Sequence, residues 1–231
     1  MATRYEEFLE LDQKASEVIT PEMKKGIHLS LLYDAVHSPL LFPSQGGSLD
    51  HELDALSFIL AHQQDPFDEA FLKGIHAALK QGQGHYRDHN VHINYSEHYY
   101  FPPSAQNVEK EMKRLFEQYP NLPQQESFDD IFAFTLKGLL IHPFPDGNGR
   151  TLVFALQSLL QRVGLSCAPY LPLDALHNGL NYKQTYRYLF HAGGFYYGQK
   201  DIQAEAYIEY VKSLLAKAYE WLIQSGSKIK N

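Results

Sequence analysis

Apolar residues recur three and four positions apart along most of this chain, the spacing of one helix face. "YEEFLELDQKASEVI" predicts a first helix. "PEMKKGIHLSLLYDAV" predicts a second, opened by Pro21, which a first helical turn tolerates. "HSPLLFPSQGGS" breaks the pattern with Pro, Gly and Ser and predicts a loop. "LDHELDALSFILAHQ" and "DEAFLKGIHAALKQG" resume the helical spacing. Between Gly82 and Pro103 the period changes. "GQGHYRDHNVHINYSEHYYFPP" is rich in Tyr, His and Asn, alternates around "VHINY", and predicts an extended hairpin or flap.

"SAQNVEKEMKRLFEQY" is helical again. Ser127 and Asp130 resemble a capping box ahead of "IFAFTLKGLLI", where Ile131, Thr135, Leu136, Leu139 and Leu140 share a face. Pro143 disfavours helical dihedrals at His142, so this helix should end there. Leu152, Val153, Leu156, Leu159, Leu160 and Val163 mark the next helix, with Gly164 as its C-terminal cap. "NYKQTYRYLFHAG" and "AEAYIEYVKSLLAKAYEWLI" close the helical pattern, and "QSGSKIKN" is expected to fray. The expectation is an all-α domain carrying one β-hairpin, with no internal repeat.

Length and composition narrow the class. The 231 residues suffice for one domain with a substantial core, and 44% hydrophobic with 20% charged residues is ordinary for a soluble protein. A formal charge of -7 argues against nucleic-acid or anionic-membrane binding driven by net charge. One cysteine, Cys167, allows no intrachain disulfide. The acidic, amphipathic start lacks the form of a signal peptide, and no run reaches the length of a membrane span. The expected compartment is cytoplasmic; a protein exported by a specialised route would read the same.

The candidate chemistry is concentrated in "HPFPDGNGR", His142 to Arg150, between two predicted helices. The second helix should begin near Asn148 or Gly149, so its unbonded N–H groups and positive dipole end form an anion site. Gly147 and Gly149 let the backbone approach a phosphate, Asn148 offers an amide, and Arg150 a planar cation suited to phosphate oxygens. Asp146 beside such a site points to Mg²⁺ held between its carboxylate and phosphates. A neutral imidazole at His142 could take a proton from an incoming hydroxyl. Phe144 should be buried. Against this stands the plain alternative of a polar turn: the spacing is neither a Walker loop nor a dinucleotide-binding fingerprint.

The nine residues match the Fic-domain motif, H-x-F-x-[D/E]-G-N-G-R, at every specified position. Outside it, "GHYRDHNVHINYSEHYYFPPSAQNVEKEMKRLF" resembles the family's G-x-Y-R segment, flap, paired prolines and following helix. "NYKQTYRYLFHAG" resembles its tyrosine-bearing helix. The resemblance covers about 27–211 of a single domain spanning 1–231, with 1–26 as a helical extension and a C-terminal helix to about 224. It implies a helical Fic fold that transfers AMP from ATP·Mg²⁺ to a Ser, Thr or Tyr hydroxyl of a target protein. His142 would be the base and Asp146 the Mg²⁺ ligand. Gly147, Asn148, Gly149 and Arg150 would form the anion cradle, with Tyr186 near the base. The flap, Val91, His92, Ile93, Asn94 and Tyr95 in particular, would hold the target by strand addition. The implied partners are a nucleotide and a target protein, with no nucleic acid and no membrane.

Two positions depart from the family pattern. The motif usually continues R-x-x-R, whose second arginine commonly touches the γ-phosphate; here that position is Val153. One charge-assisted contact, worth about 1.5–3 kcal/mol, is missing unless Arg87, Lys183 or Arg187 replaces it. The family's inhibitory S/T-x-x-x-E-G/N pattern aligns best with Ser38, which puts Phe42 where Glu should stand. A weaker match, Ser48 with Glu52, reads better as a capping box. The alternatives to AMP transfer are another donor, such as another NTP or CDP-choline, and a nucleotide-binding module without turnover. His85, His89, His92 and His98 invite a zinc reading, but on loop and strand they suit a solvated or target-contacting set. Tyr95, Tyr99 and Tyr100 suit either a partner or the underside of the flap. Trp221, on the amphipathic terminal helix, suits core packing or a homodimer contact better than a ligand site.

Overall fold

The computed structural model describes residues 4–20, 49–79, 84–95, 98–124, 128–171, 195–196 and 204–230. The second predicted helix, the "NYKQTYRYLFHAG" helix with Tyr186, Lys183 and Arg187, and Ser38, Phe42, Ser48 and Ser127 lie outside the described residues. Among the described residues the chain forms α1 (Arg4–Val18), α2 (Leu49–Ala61), α3 (Glu69–Leu79), β1 (Ile93–Tyr95) and β2 (His98–Phe101). These are followed by α4 (Ala105–Gln118), α5 (Phe128–Ile141), α6 (Asn148–Arg162), a short 3₁₀ turn (Ala168–Tyr170), β3 (Phe195–Tyr196) and α7 (Ala204–Lys230). The fold is all-α with a small β element, as the periodicity predicts. Two details differ. The hairpin acquires a third strand, β3, and α7 runs to Lys230 rather than fraying near 224.

The antiparallel helices α5 and α6 form the centre. The single apolar stripe read from the sequence understates α5, where Phe128, Phe132, Phe134, Gly138 and Ile141 are buried together with the predicted face. From Thr151 to Leu160 every residue of α6 is buried. Helices covered on all sides lose their amphipathic signature, so periodicity reports only part of their contact surface. Gly138 permits the close approach of the pair: a Cβ there would lie 2.8 Å from Leu152 Cδ2. Thr135, inside the core, satisfies its hydroxyl on the Ile131 carbonyl at 2.8 Å. Phe134 is met edge-on by Phe67, Phe116 and Tyr119, favourable aromatic geometry that ties α4 to α5.

The C-terminus of α6 stops as predicted. Gly164 has φ +104, its N–H bonds the Gln161 carbonyl, and Leu165 N–H bonds Leu160, both at 3.0 Å. This paired return closes the carbonyls of the last turn and needs a residue free to adopt positive φ. Beside it, the buried Asp12 carboxylate of α1 accepts from Ser166 N–H, Ser166 Oγ and Cys167 N–H, and from Tyr219 Oη of α7. Trp221 is 44% exposed, so it is not a core residue.

In the sheet, β1 and β2 pair antiparallel, Ile93 opposite Tyr100, and β2 pairs parallel with β3, Tyr100 opposite Phe195. The strand order β1-β2-β3 leaves β1 at one edge. Tyr100 donates its hydroxyl to the Leu140 carbonyl at 2.6 Å, anchoring the flap to the last turn of α5.

Asp12→Ala should strand several buried donors at once and lower stability on the order of 3 kcal/mol. The denaturant midpoint measures this; a shift of only a few tenths of a kcal/mol would show that the carboxylate is not a structural joint.

Candidate functional site

The nine-residue motif, a loop over 142–147 and the first turn of α6, is assembled from three sides. Its entry is fixed by helix termination. His142 N–H makes the last helical bond, to Gly138 at 3.0 Å, and the residue then turns to φ +52. Pro143 forbids continuation, and His is among the non-glycine residues that tolerate this region.

The turned segment is held by Arg87. Its Nε donates to the His142 carbonyl at 2.8 Å, while its terminal nitrogens reach the carbonyls of His89, Pro103 and Ile141. Arg87 N–H adds a bond to the Pro143 carbonyl at 2.9 Å. The side chain is buried. A guanidinium presents five N–H donors in one plane, and here they gather carbonyls from the end of α5 and from both roots of the flap. Arg87 is therefore committed to backbone and does not replace the arginine missing at position 153. Val153 is buried in the core, as the apolar stripe predicted.

The middle of the loop is sealed by Phe144 and Asn148. Phe144 is fully buried and stacks on His76 of α3, ring centres 3.9 Å apart and planes 6° apart. Asn148 Oδ1 accepts from Phe144 N–H and Asn148 Nδ2 donates to Phe144 O, both at 2.8 Å. Both functions of this amide shape the loop, so the donor Asn148 could still offer an anion is its backbone N–H at the start of α6. Gly147 sits at φ +77, and the first helical bond of α6 is Thr151 N–H to Gly147 O at 2.9 Å. Asp146 accepts from Gly147 N–H through Oδ1 at 2.6 Å, and its other oxygen lies 3.9 Å from Arg150. The Asp146 side chain is 54% exposed, at the open end of the helix dipole.

His142 is buried, which pushes its pKa down from 6.5 to about 4; the Arg87 charge pushes the same way. A hydrogen bond to the backbone at Leu139 and the Asp146 carboxylate pull it partly back. The imidazole is thus neutral at pH 7, the form that accepts a proton.

Of the flap residues, His92 is exposed, Ile93 is buried, and Val91 lies between. Asn94 and Tyr95 lie on β1, but their side chains fall outside the described residues, as does that of His98. His85, His89 and His92 are exposed, and among the described residues no group of three or more His, Cys, Asp or Glu is placed to hold a metal ion. Tyr99 is exposed while its neighbour Tyr100 is buried, as strand alternation requires. No described helix is long and apolar enough to cross a membrane. The motif reading missed His76. Its signal was present: one polar residue in the buried stripe Leu72, Ile75, Leu79 of α3.

Comparison with known proteins agrees with this fold. The model of the Fic/DOC family matches residues 66–160, which hold α3, the flap, α4, α5, the loop and most of α6. A Fic family protein from Desulfovibrio desulfuricans G20 superposes with a TM-score of 0.65 at 19% identity, covering 97% of this chain and 76% of that one. A Fic domain containing signaling protein from Bacteroides thetaiotaomicron VPI-5482 gives 0.65 at 16% identity, covering 98% of each. At these identities the likeness is one of fold. A search of the curated proteins finds no match.

Two outcomes test the site. Arg87→Gln removes a charge beside His142, so the imidazole pKa should rise from about 4, read by NMR titration; an unmoved midpoint would refute the coupling. In the wild type the unfolded chain binds the His142 proton first. Stability should therefore be full above pH 6.5 and fall by about 3 kcal/mol as the pH drops through 4. His142→Asn, which tolerates positive φ, should flatten that part of the stability profile.

Proposed function

The chain carries a Fic/DOC family domain over residues 66–160, and from that premise we propose that it is a protein nucleotidyltransferase that moves AMP from ATP to a hydroxyl of a target protein. The observation that carries the reading is the pairing of a buried, neutral His142 with a helix N-terminus that has no side-chain cap, on one braced loop. The hydroxyl oxygen attacks the α-phosphorus while His142 takes its proton. The bond from phosphorus to the pyrophosphate oxygen breaks, and pyrophosphate leaves. Such chemistry asks mainly for positioning and charge stabilisation.

The N–H groups opening α6, with Gly147 and Gly149 clearing the approach, supply donors for the phosphates, and Arg150 adds a cation. Mg²⁺ usually takes one or two protein carboxylates and completes its shell with phosphates and water. The half-exposed Asp146 carboxylate, bonded to Gly147 N–H through one oxygen and 3.9 Å from Arg150 through the other, fits that demand. Bound there, the ion would neutralise charge on the phosphates. The target segment would add to β1, whose outer edge carries no strand among the described residues. Tyr186 belongs to the proposed nucleotide site by resemblance alone.

Val153 in the core favours a second reading, a donor that needs no γ-phosphate grip, such as another NTP or CDP-choline. Incubation with a mixture of donors and Mg²⁺, followed by mass spectrometry, separates the two. AMP transfer predicts an adduct of the adenylyl mass on the protein or an added target. His142→Asn should lose it while keeping the fold. A different added mass would select the second reading, and tight nucleotide binding with no adduct would point to a binding module.

A further inference from the structure

We propose that His76, on α3 and outside the motif, is a positioning residue that sets the orientation of the Asp146 carboxylate for a metal–nucleotide complex. The proposal rests on the nucleotide reading above and deepens it. His76 is 1% exposed, and its Nε2 lies 2.9 Å from the Asp146 carbonyl oxygen. A carbonyl only accepts, so Nε2 carries the proton and donates.

The contact is mechanical in its effect. The peptide between Asp146 and Gly147 is planar, so fixing its C=O fixes the direction of its N–H. That N–H, on Gly147, donates to Asp146 Oδ1 at 2.6 Å. His76 thereby governs, through one rigid plane, which oxygen of Asp146 is held by backbone and which lies 3.9 Å from Arg150. The stack on Phe144 fixes the imidazole plane, and Asn148 fixes Phe144. A histidine serving only as core filler needs the stack but not the bond to Asp146. Metal-binding carboxylates are commonly oriented by neighbours that never touch the ion.

His76→Phe keeps the ring stack and deletes the donor; His76→Gln restores a donor without the ring. Calorimetric titration of each full-length protein with MgATP, and with ATP in EDTA, reads the effect. The expected result is affinity for MgATP roughly tenfold weaker in H76F, with metal-free ATP binding unchanged, and recovery to within about threefold of wild type in H76Q. Without any nucleotide, the Gly147 amide resonance should move in H76F and return toward its wild-type position in H76Q. Undiminished MgATP binding by H76F, with an unmoved Gly147 resonance, would overturn the role of His76 alone. A wild type that fails to bind MgATP would overturn the nucleotide reading and this proposal's ligand with it.

Discussion

The site depends on one buried guanidinium. Arg87 takes carbonyls that a terminated helix leaves without partners and carbonyls from the roots of the flap, and joins them at a single planar group. Helix ends require such partners, and burial makes the requirement severe. The charge has two consequences. It braces His142 in a left-handed turn, and it repels a second positive charge on the imidazole. Burial does most to keep the His142 imidazole neutral, and the side chain that holds its backbone turn pushes the same way.

Around that brace, the remainder of the loop is closed by neighbours rather than by ligands. His76 and Asn148 hold the Phe144–Gly147 segment, and the αL turn at Gly147 swings the chain into α6. The Asp146 carboxylate stays half-exposed, and the Arg150 side chain beside it is mostly covered.

The motif and its flanking helices were legible because local rules acted alone. Pro143 ended α5, Gly164 capped α6, and alternation marked the flap. What was not legible were contacts made between distant elements. Arg87 reads as a phosphate ligand until the carbonyls around it are known, and His76 reads as an oddity in an apolar stripe. The third strand at Phe195–Tyr196 is too short to carry a period, and the full burial of α5 exceeds any single stripe. Residues whose partners lie far along the chain show at most that they are polar among apolar neighbours, not what they hold.

The Asp12 joint also bears on how the chain reaches this structure. Its partners lie 154, 155 and 207 residues further on, at Ser166, Cys167 and Tyr219. Contacts of such separation are closed late, since the loop entropy must be spent before they form. On the ribosome, α1 emerges before α7 and yet has to wait for it to complete the Asp12 carboxylate shell. The helix pair that carries the motif loop can form from neighbouring residues in the meantime, so an element made early is among the last to lock.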